Sequence, residues 1–161
     1  MHVFPRNFNK EFLVIDHGEG IYLYDKKGNR YLDGCSGAVS ANIGYGNKEV
    51  AAAIYEQICK TPFAHGSIWE AEINETASQK ILSIAPEGFS HVWFVNAGSE
   101  STEAAIKMAH QYHLEKNKGV SEKCLVIGRE NGYHGSTLGT LGIGGNVNRR
   151  ILFMPMIFDH P

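Results

Sequence analysis

Two short stretches carry residue types that chemistry uses. The first is Asn96-Ala97-Gly98-Ser99, a break of small and polar residues between the apolar run Val92–Val95 and a helical pattern that resumes behind it. The first turn of a helix leaves backbone N–H groups unpaired at its positive dipole end. Gly98 lets the backbone approach a ligand closely, and the Ser99 hydroxyl is a further donor. Together they describe an anion site suited to a phosphate. Taken alone, a Gly-Ser pair before a helix is more often a turn and an N-cap. The second stretch is Arg129–Gly139, RENGYHGSTLG. Here Tyr133 offers an aromatic face to a flat ligand and His134 a titratable nitrogen; a packed tyrosine and a solvated histidine would explain the same residues. A phosphate cradle beside an aromatic platform would suit a planar phosphorylated cofactor.

Other chemistries find less support. The chain has no GxxxxGK[ST], no GxGxxG after Val95 and no GxSxG around Ser136, which disfavours a P-loop, a dinucleotide-binding domain and a serine hydrolase. Cys35, Cys59 and Cys124 are scattered and form no CxxC pair, so neither a zinc site nor a disulfide framework is expected. With 15 basic and 17 acidic residues and no basic stripe, nucleic acid is not an expected partner. No apolar run is long enough to span a bilayer, and Met1–Lys10 lacks the middle of a signal peptide, so a cytoplasmic protein away from membranes is expected.

The surrounding elements must place the two stretches. Ile21–Tyr24 and Arg30–Leu32 flank a Gly-containing loop and predict a β-hairpin. Asn47 predicts the cap of a helix reaching about Lys60, and a second amphipathic helix runs from about Ala71 towards Pro86. Val92–Val95 and Cys124–Ile127 read as buried strands around a helix that ends near Gly119, which would make a parallel βαβ unit. Ile151–Met154 reads as a third strand. The expected fold class is therefore α/β: an N-terminal hairpin segment, then the first part of a mostly parallel, helix-covered sheet. In a parallel unit both stretches fall beyond the carboxyl ends of adjacent strands, where ligands bind. So small a sheet would leave apolar faces uncovered.

The segments GIYLYDKKGNRYLDGCSGAVSANIGYGNKEV, FVNAGSESTEAAIKMA and NGYHGSTLG resemble, in order, segments of the class III pyridoxal-phosphate-dependent aminotransferases, of the aspartate aminotransferase fold type (fold type I). The resemblance implies that Gly98 and Ser99 hold the phosphate of pyridoxal 5'-phosphate, Tyr133 stacks on its ring and His134 helps to position it. It implies that Val39, Ser40 and Trp69 face the substrates, an amino donor and a keto acid or aldehyde acceptor, in a homodimer. It divides the chain into a small-domain hairpin segment, 1–46, and the opening of the cofactor domain, 47–161. The family's mechanism needs a lysine bonded to the cofactor and an aspartate on the pyridine nitrogen, both from segments later than those matched. No lysine of the chain, Lys107 included, stands in such a segment, and nothing marks Asp159 as the aspartate. The chain thus resembles the N-terminal part of such an enzyme and offers no catalytic residue of its own. A non-catalytic cofactor-binding or interaction protein is the alternative.

Overall fold

A buried carboxylate organises the first element of the chain. In the computed structural model, which describes residues 2–157, Asp25 sits at the end of a hairpin strand and is only 7% exposed. Its two oxygens accept from Lys27 N–H (2.8 Å), Asn29 N–H (2.9 Å), Asn29 Nδ2 (2.9 Å) and the Tyr31 hydroxyl (2.9 Å). Four donors on one carboxylate close the loop that Gly28, at φ +82°, turns. Strands β2 (Tyr22–Asp25) and β3 (Arg30–Leu32) pair antiparallel across it, close to the predicted hairpin. A further strand, β1 (Ile15–Glu19), pairs antiparallel with β2 and completes a three-stranded sheet in the order β1-β2-β3. Cross-strand side chains cover one face of β2: His17 stacks on Tyr24 at 4.6 Å, and the Arg30 guanidinium lies 4.5 Å from the Tyr22 ring centre.

The chain forms two units, one up to Glu72 and one from Ile73. In the first, the sheet leads into the irregular turn α1 (Ser36–Val39) and then α2 (Lys48–Lys60). The segment between them is fastened to the hairpin. Tyr45 and Gly20 exchange backbone hydrogen bonds of 3.1 and 2.8 Å, and the Tyr45 ring lies so close to Gly18 that a Cβ there would sit 2.5 Å from it. The Asn47 side chain accepts from Val50 N–H at 3.0 Å, which is the expected N-cap of α2. Helix α3 (Glu72–Leu82) begins at the division between the units.

In the second unit α4 (Gly98–Lys116) starts at the predicted break, and Gly119 takes φ +88° just past its end, donating to Leu114 O at 2.7 Å. Two short helices follow, α5 (Leu138–Gly142) and α6 (Val147–Arg150). The crowded glycines bring backbone against backbone: Glu130 and Gly145 form a parallel bridge, Gly145 N–H donates to Gly132 O at 3.1 Å, and a Cβ on Gly128 would collide with Ile143 O. Thr140, Leu141 and Ile143 are buried at this crossing.

One expectation changes, and one is unmatched among the described residues. Ile151–Met154 is not a strand; residues Ile151–Met156 form a 3₁₀ helix continuing from α6. A short apolar run does not distinguish the two, and the preceding helical turn decides it. Neither Val92–Val95 nor Cys124–Ile127 forms a ladder among the described residues, and their side chains are open, with Trp93 72% and Ile127 87% exposed. A parallel strand takes its ladder from neighbours remote in sequence, and among the described residues neither run is assigned to a sheet. The observed fold is α/β with a small antiparallel sheet. Asp159 lies outside the described residues.

Hydrogen bonds from Asn29, then from Tyr31 and Lys27, hold the Asp25 carboxyl down at about 2, against a usual value near 3.8. A carboxyl depressed on folding stabilises the fold above its unfolded value and loses that contribution as pH falls through its folded value. The hairpin should therefore loosen between about pH 4 and pH 2. Amide exchange of the β2–β3 ladder across this range should show the loss in the wild type and a much flatter profile in Asp25→Asn.

Candidate functional site

The site is built on the first turn of α4. Its N-cap position, Ala97, has no side-chain oxygen to offer, and its backbone is extended. Glu100, in the first turn, reaches back and accepts from Asn96 N–H (2.9 Å) and Asn96 Nδ2 (3.1 Å), which pins the chain entering the helix. Among the described residues, the backbone N–H groups of Gly98, Ser99 and Glu100 have no acceptor. A Cβ placed on Gly98 would meet nothing within 4 Å, so the space before these donors is open.

Ser99 has two roles. Its Oγ accepts from Ser136 N–H at 3.0 Å, while its own hydroxyl proton has no acceptor among the described residues and remains available. One helical turn on, Glu103 Oε2 accepts from the Thr137 hydroxyl at 2.6 Å. Residues four apart on a helix share a face, so α4 grips consecutive residues of the Tyr133 loop through Ser99 and Glu103. Glycines allow the approach. A Cβ on Gly135 would stand 2.5 Å from Thr140 Oγ1 and 2.9 Å from Ser99 Oγ, and Gly135 has φ +139°. A Cβ on Gly139 would stand 2.5 Å from Glu103 Oε1.

The structure thus brings Gly98 and Ser99 together with the loop that carries Tyr133 and His134. Tyr133 is 60% exposed, with the Arg149 guanidinium 4.7 Å from its ring centre. His134 Nε2 is buried with no hydrogen-bond partner among the described residues, next to Gly132, where a Cβ would come within 2.9 Å of it. Open N–H donors, a free hydroxyl proton and an exposed aromatic ring are a donor set that suits a phosphorylated planar group.

Val39, Ser40 and Trp69 belong to the first unit. Val39 is 76% exposed and takes φ +61°, a conformation costly for a β-branched residue. The turn is held by Asp33, whose carboxylate accepts from Cys35 N–H (3.2 Å), Gly37 N–H (2.9 Å) and the Tyr45 hydroxyl. The Tyr45 hydrogen bond, the strongest influence, pulls the Asp33 carboxyl below the usual carboxylate range. The same bond raises Tyr45 above the ordinary phenol. Ser40 Oγ donates to Ala38 O at 3.3 Å, and Trp69 N–H closes a turn on His65 O at 2.9 Å.

Sequence reasoning passed over Glu100, Glu103, Thr137 and Arg149. The spacing of Ser99 and Glu103 was a usable signal, and so was Thr137 as a capping residue before Leu138, where its side chain accepts from Thr140 N–H. Nothing local marks Arg149.

The aminotransferase class-III family matches residues 3–160 of the chain. The chain belongs to that family. Among curated class III relatives, it is 37% identical over 139 residues to putrescine–pyruvate aminotransferase of Pseudomonas aeruginosa, covering 82% of this chain and 29% of that protein. It is 37% identical over 139 residues to adenosylmethionine-8-amino-7-oxononanoate aminotransferase of Aquifex aeolicus, covering 84% and 30%. The corresponding crystal structure from Methanocaldococcus jannaschii superposes with a TM-score of 0.91 at 30% identity, over 99% of this chain and 37% of that one. The omega transaminase of Pseudomonas jessenii in complex with PMP gives a TM-score of 0.86 at 30% identity, over 96% and 35%. The chain spans about a third of the length of the curated relatives it matches. Class III aminotransferases are pyridoxal phosphate enzymes, and the donor set around Ser99 fits that group. Among the described residues no helix is long and apolar enough to cross a membrane, and no cluster of metal-ligating side chains occurs.

Gly135→Ala would drive a methyl group into Thr140 and Ser99 at a strained φ. It should destabilise the second unit by about 1–3 kcal/mol. A urea titration followed by Trp93 fluorescence, with the first-unit Trp69 replaced by Phe, should show the lower midpoint.

Proposed function

We propose that the polypeptide is a pyridoxal-phosphate-dependent aminotransferase, transferring an amino group from an amine or amino acid to a keto acid or aldehyde. In this reading the chain supplies the phosphate cradle and the ring platform. The observation that carries it is the hydrogen bond from Ser136 N–H to Ser99 Oγ, which sets the Tyr133 loop on the turn that bears the open N–H groups. Gly98 and Ser99 N–H and the Ser99 hydroxyl would hold the phosphate, Tyr133 would lie on the ring, and His134 would position the loop. When bound, the cofactor draws electron density from the carbon bearing the amino group. The chain's part is to hold and orient it. A fixed phosphate limits translation and an aromatic face limits tilt, so both act by restricting the freedom of the bound group.

The same reading gives Val39, Ser40 and Trp69 to the substrates, with the strain at Val39 supporting a role for its turn. Residues 1–46 would join a small domain and 47–161 would open the cofactor domain, with Val92–Val95 and Cys124–Ile127 as parallel strands of its sheet. Their exposed apolar side chains support this, since such strands are covered on both faces. The working enzyme would be a cytoplasmic homodimer. The alternative is a non-catalytic cofactor-binding or interaction protein, which would use the same cradle.

Pyridoxamine 5'-phosphate tests the cradle, because it lacks the aldehyde that would react with exposed lysines. The chain should bind it in isothermal titration. Gly98→Ala should leave thermal stability unchanged, since the added methyl meets nothing, yet weaken binding about tenfold by filling the phosphate space. Equal binding by the variant would remove Gly98 from the cradle. With cofactor, an amino donor and a keto acid, the 161-residue chain should give no turnover, and measured product would place a cofactor lysine within it.

A further inference from the structure

Glu103 lies outside the cofactor-binding set, yet it makes the second of the two side-chain attachments described between α4 and the Tyr133 loop. Its Oε2 accepts from the Thr137 hydroxyl at 2.6 Å. With that proton committed, the 2.7 Å contact between Thr137 Oγ1 and Thr140 Oγ1 must take its proton from Thr140. The Thr140 hydroxyl also lies 3.2 Å from Thr137 O, and Thr137 Oγ1 lies 3.4 Å from Thr140 N–H, at the start of α5. The carboxylate therefore sets the direction of two hydroxyls. The chain of donors runs from Thr140, which is fully buried, through Thr137 to the one group that can only accept. Gly139 leaves room for the carboxylate: a Cβ there would meet Oε1 at 2.5 Å and Oε2 at 2.8 Å.

We propose that Glu103 is a positioning residue, coupling the phosphate turn of α4 to the ring-bearing loop by orienting Thr137 beside the Ser99–Ser136 hydrogen bond. This rests on the cofactor reading of the site. One attachment point would let the loop pivot about Ser99; the second, one turn along the same helix face, fixes its angle. Tyr133 and His134 lie only a few residues upstream, so a loop free to pivot would carry the ring away from the phosphate.

The test is amide exchange of residues 133–137 in the full chain, with the β2–β3 ladder as the folding control. Glu103→Ala and Thr137→Val should each speed exchange of Ser136 N–H about tenfold and weaken pyridoxamine 5'-phosphate binding by a similar factor. Glu103→Gln, which keeps an acceptor oxygen, should stay within about threefold of wild type on both measures. The double variant Glu103→Ala/Thr137→Val should be no worse than Thr137→Val alone, because that change already removes the bond Glu103 makes. Wild-type exchange or unweakened binding in Glu103→Ala would overturn the positioning role, as would additive effects in the double variant or a Glu103→Gln that behaves like alanine. Failure of the wild type itself to bind pyridoxamine 5'-phosphate would count against the cofactor reading, with the exchange data still deciding whether Glu103 fixes the loop.

Discussion

The hydrogen bond from Ser136 N–H to Ser99 Oγ joins two demands that would otherwise compete. A helix start that is to receive an anion must keep its donors unspent, whereas a loop that is to hold a ligand must be tied down. A hydroxyl meets both because it accepts and donates at once. Tying the loop through the oxygen of Ser99 leaves the helix N–H groups and the hydroxyl proton untouched. Glu100 follows the same logic from the other side. It satisfies the chain entering the helix by reaching back to Asn96, and uses none of the donors that face outward.

Carboxylates organise the first unit in a comparable way. Asp25 and Asp33 each gather donors from their own neighbourhood, and each fixes a turn that little apolar packing supports. The fold of both units is therefore held locally by polar geometry and glycine contacts. The large apolar residues, Ile54, Trp93, Met108 and Leu125 among them, stay open. In a family whose curated members are about three times as long, such surfaces are those on which the remaining elements of a domain would pack.

Features set by nearby residues were legible in the sequence. The β2–β3 hairpin follows from its Gly-containing loop, the start of α2 from Asn47, and the start of α4 from the small residues behind Val95. Strand β1 was not legible. Its residues IDHGE carry no alternating apolar pattern, and only pairing with β2 makes them a strand. Val92–Val95 and Cys124–Ile127 show the converse, since these apolar runs suited to strands form no ladder among the described residues. At the candidate site, the glycines and the aromatic residue stood out by type. The side chains that join them did not, because Glu103 and Thr137 look like ordinary surface residues until the loop is laid on the helix.

Arg149 makes the two faces of the Tyr133 ring unequal. A ring has two faces, and the guanidinium 4.7 Å from the centre of Tyr133 occupies one of them. A flat molecule has only the opposite face to rest on, and once resting there it shows a single side to the surroundings. An arginine remote in sequence from the start of α4 thus decides which face of that ring is left open.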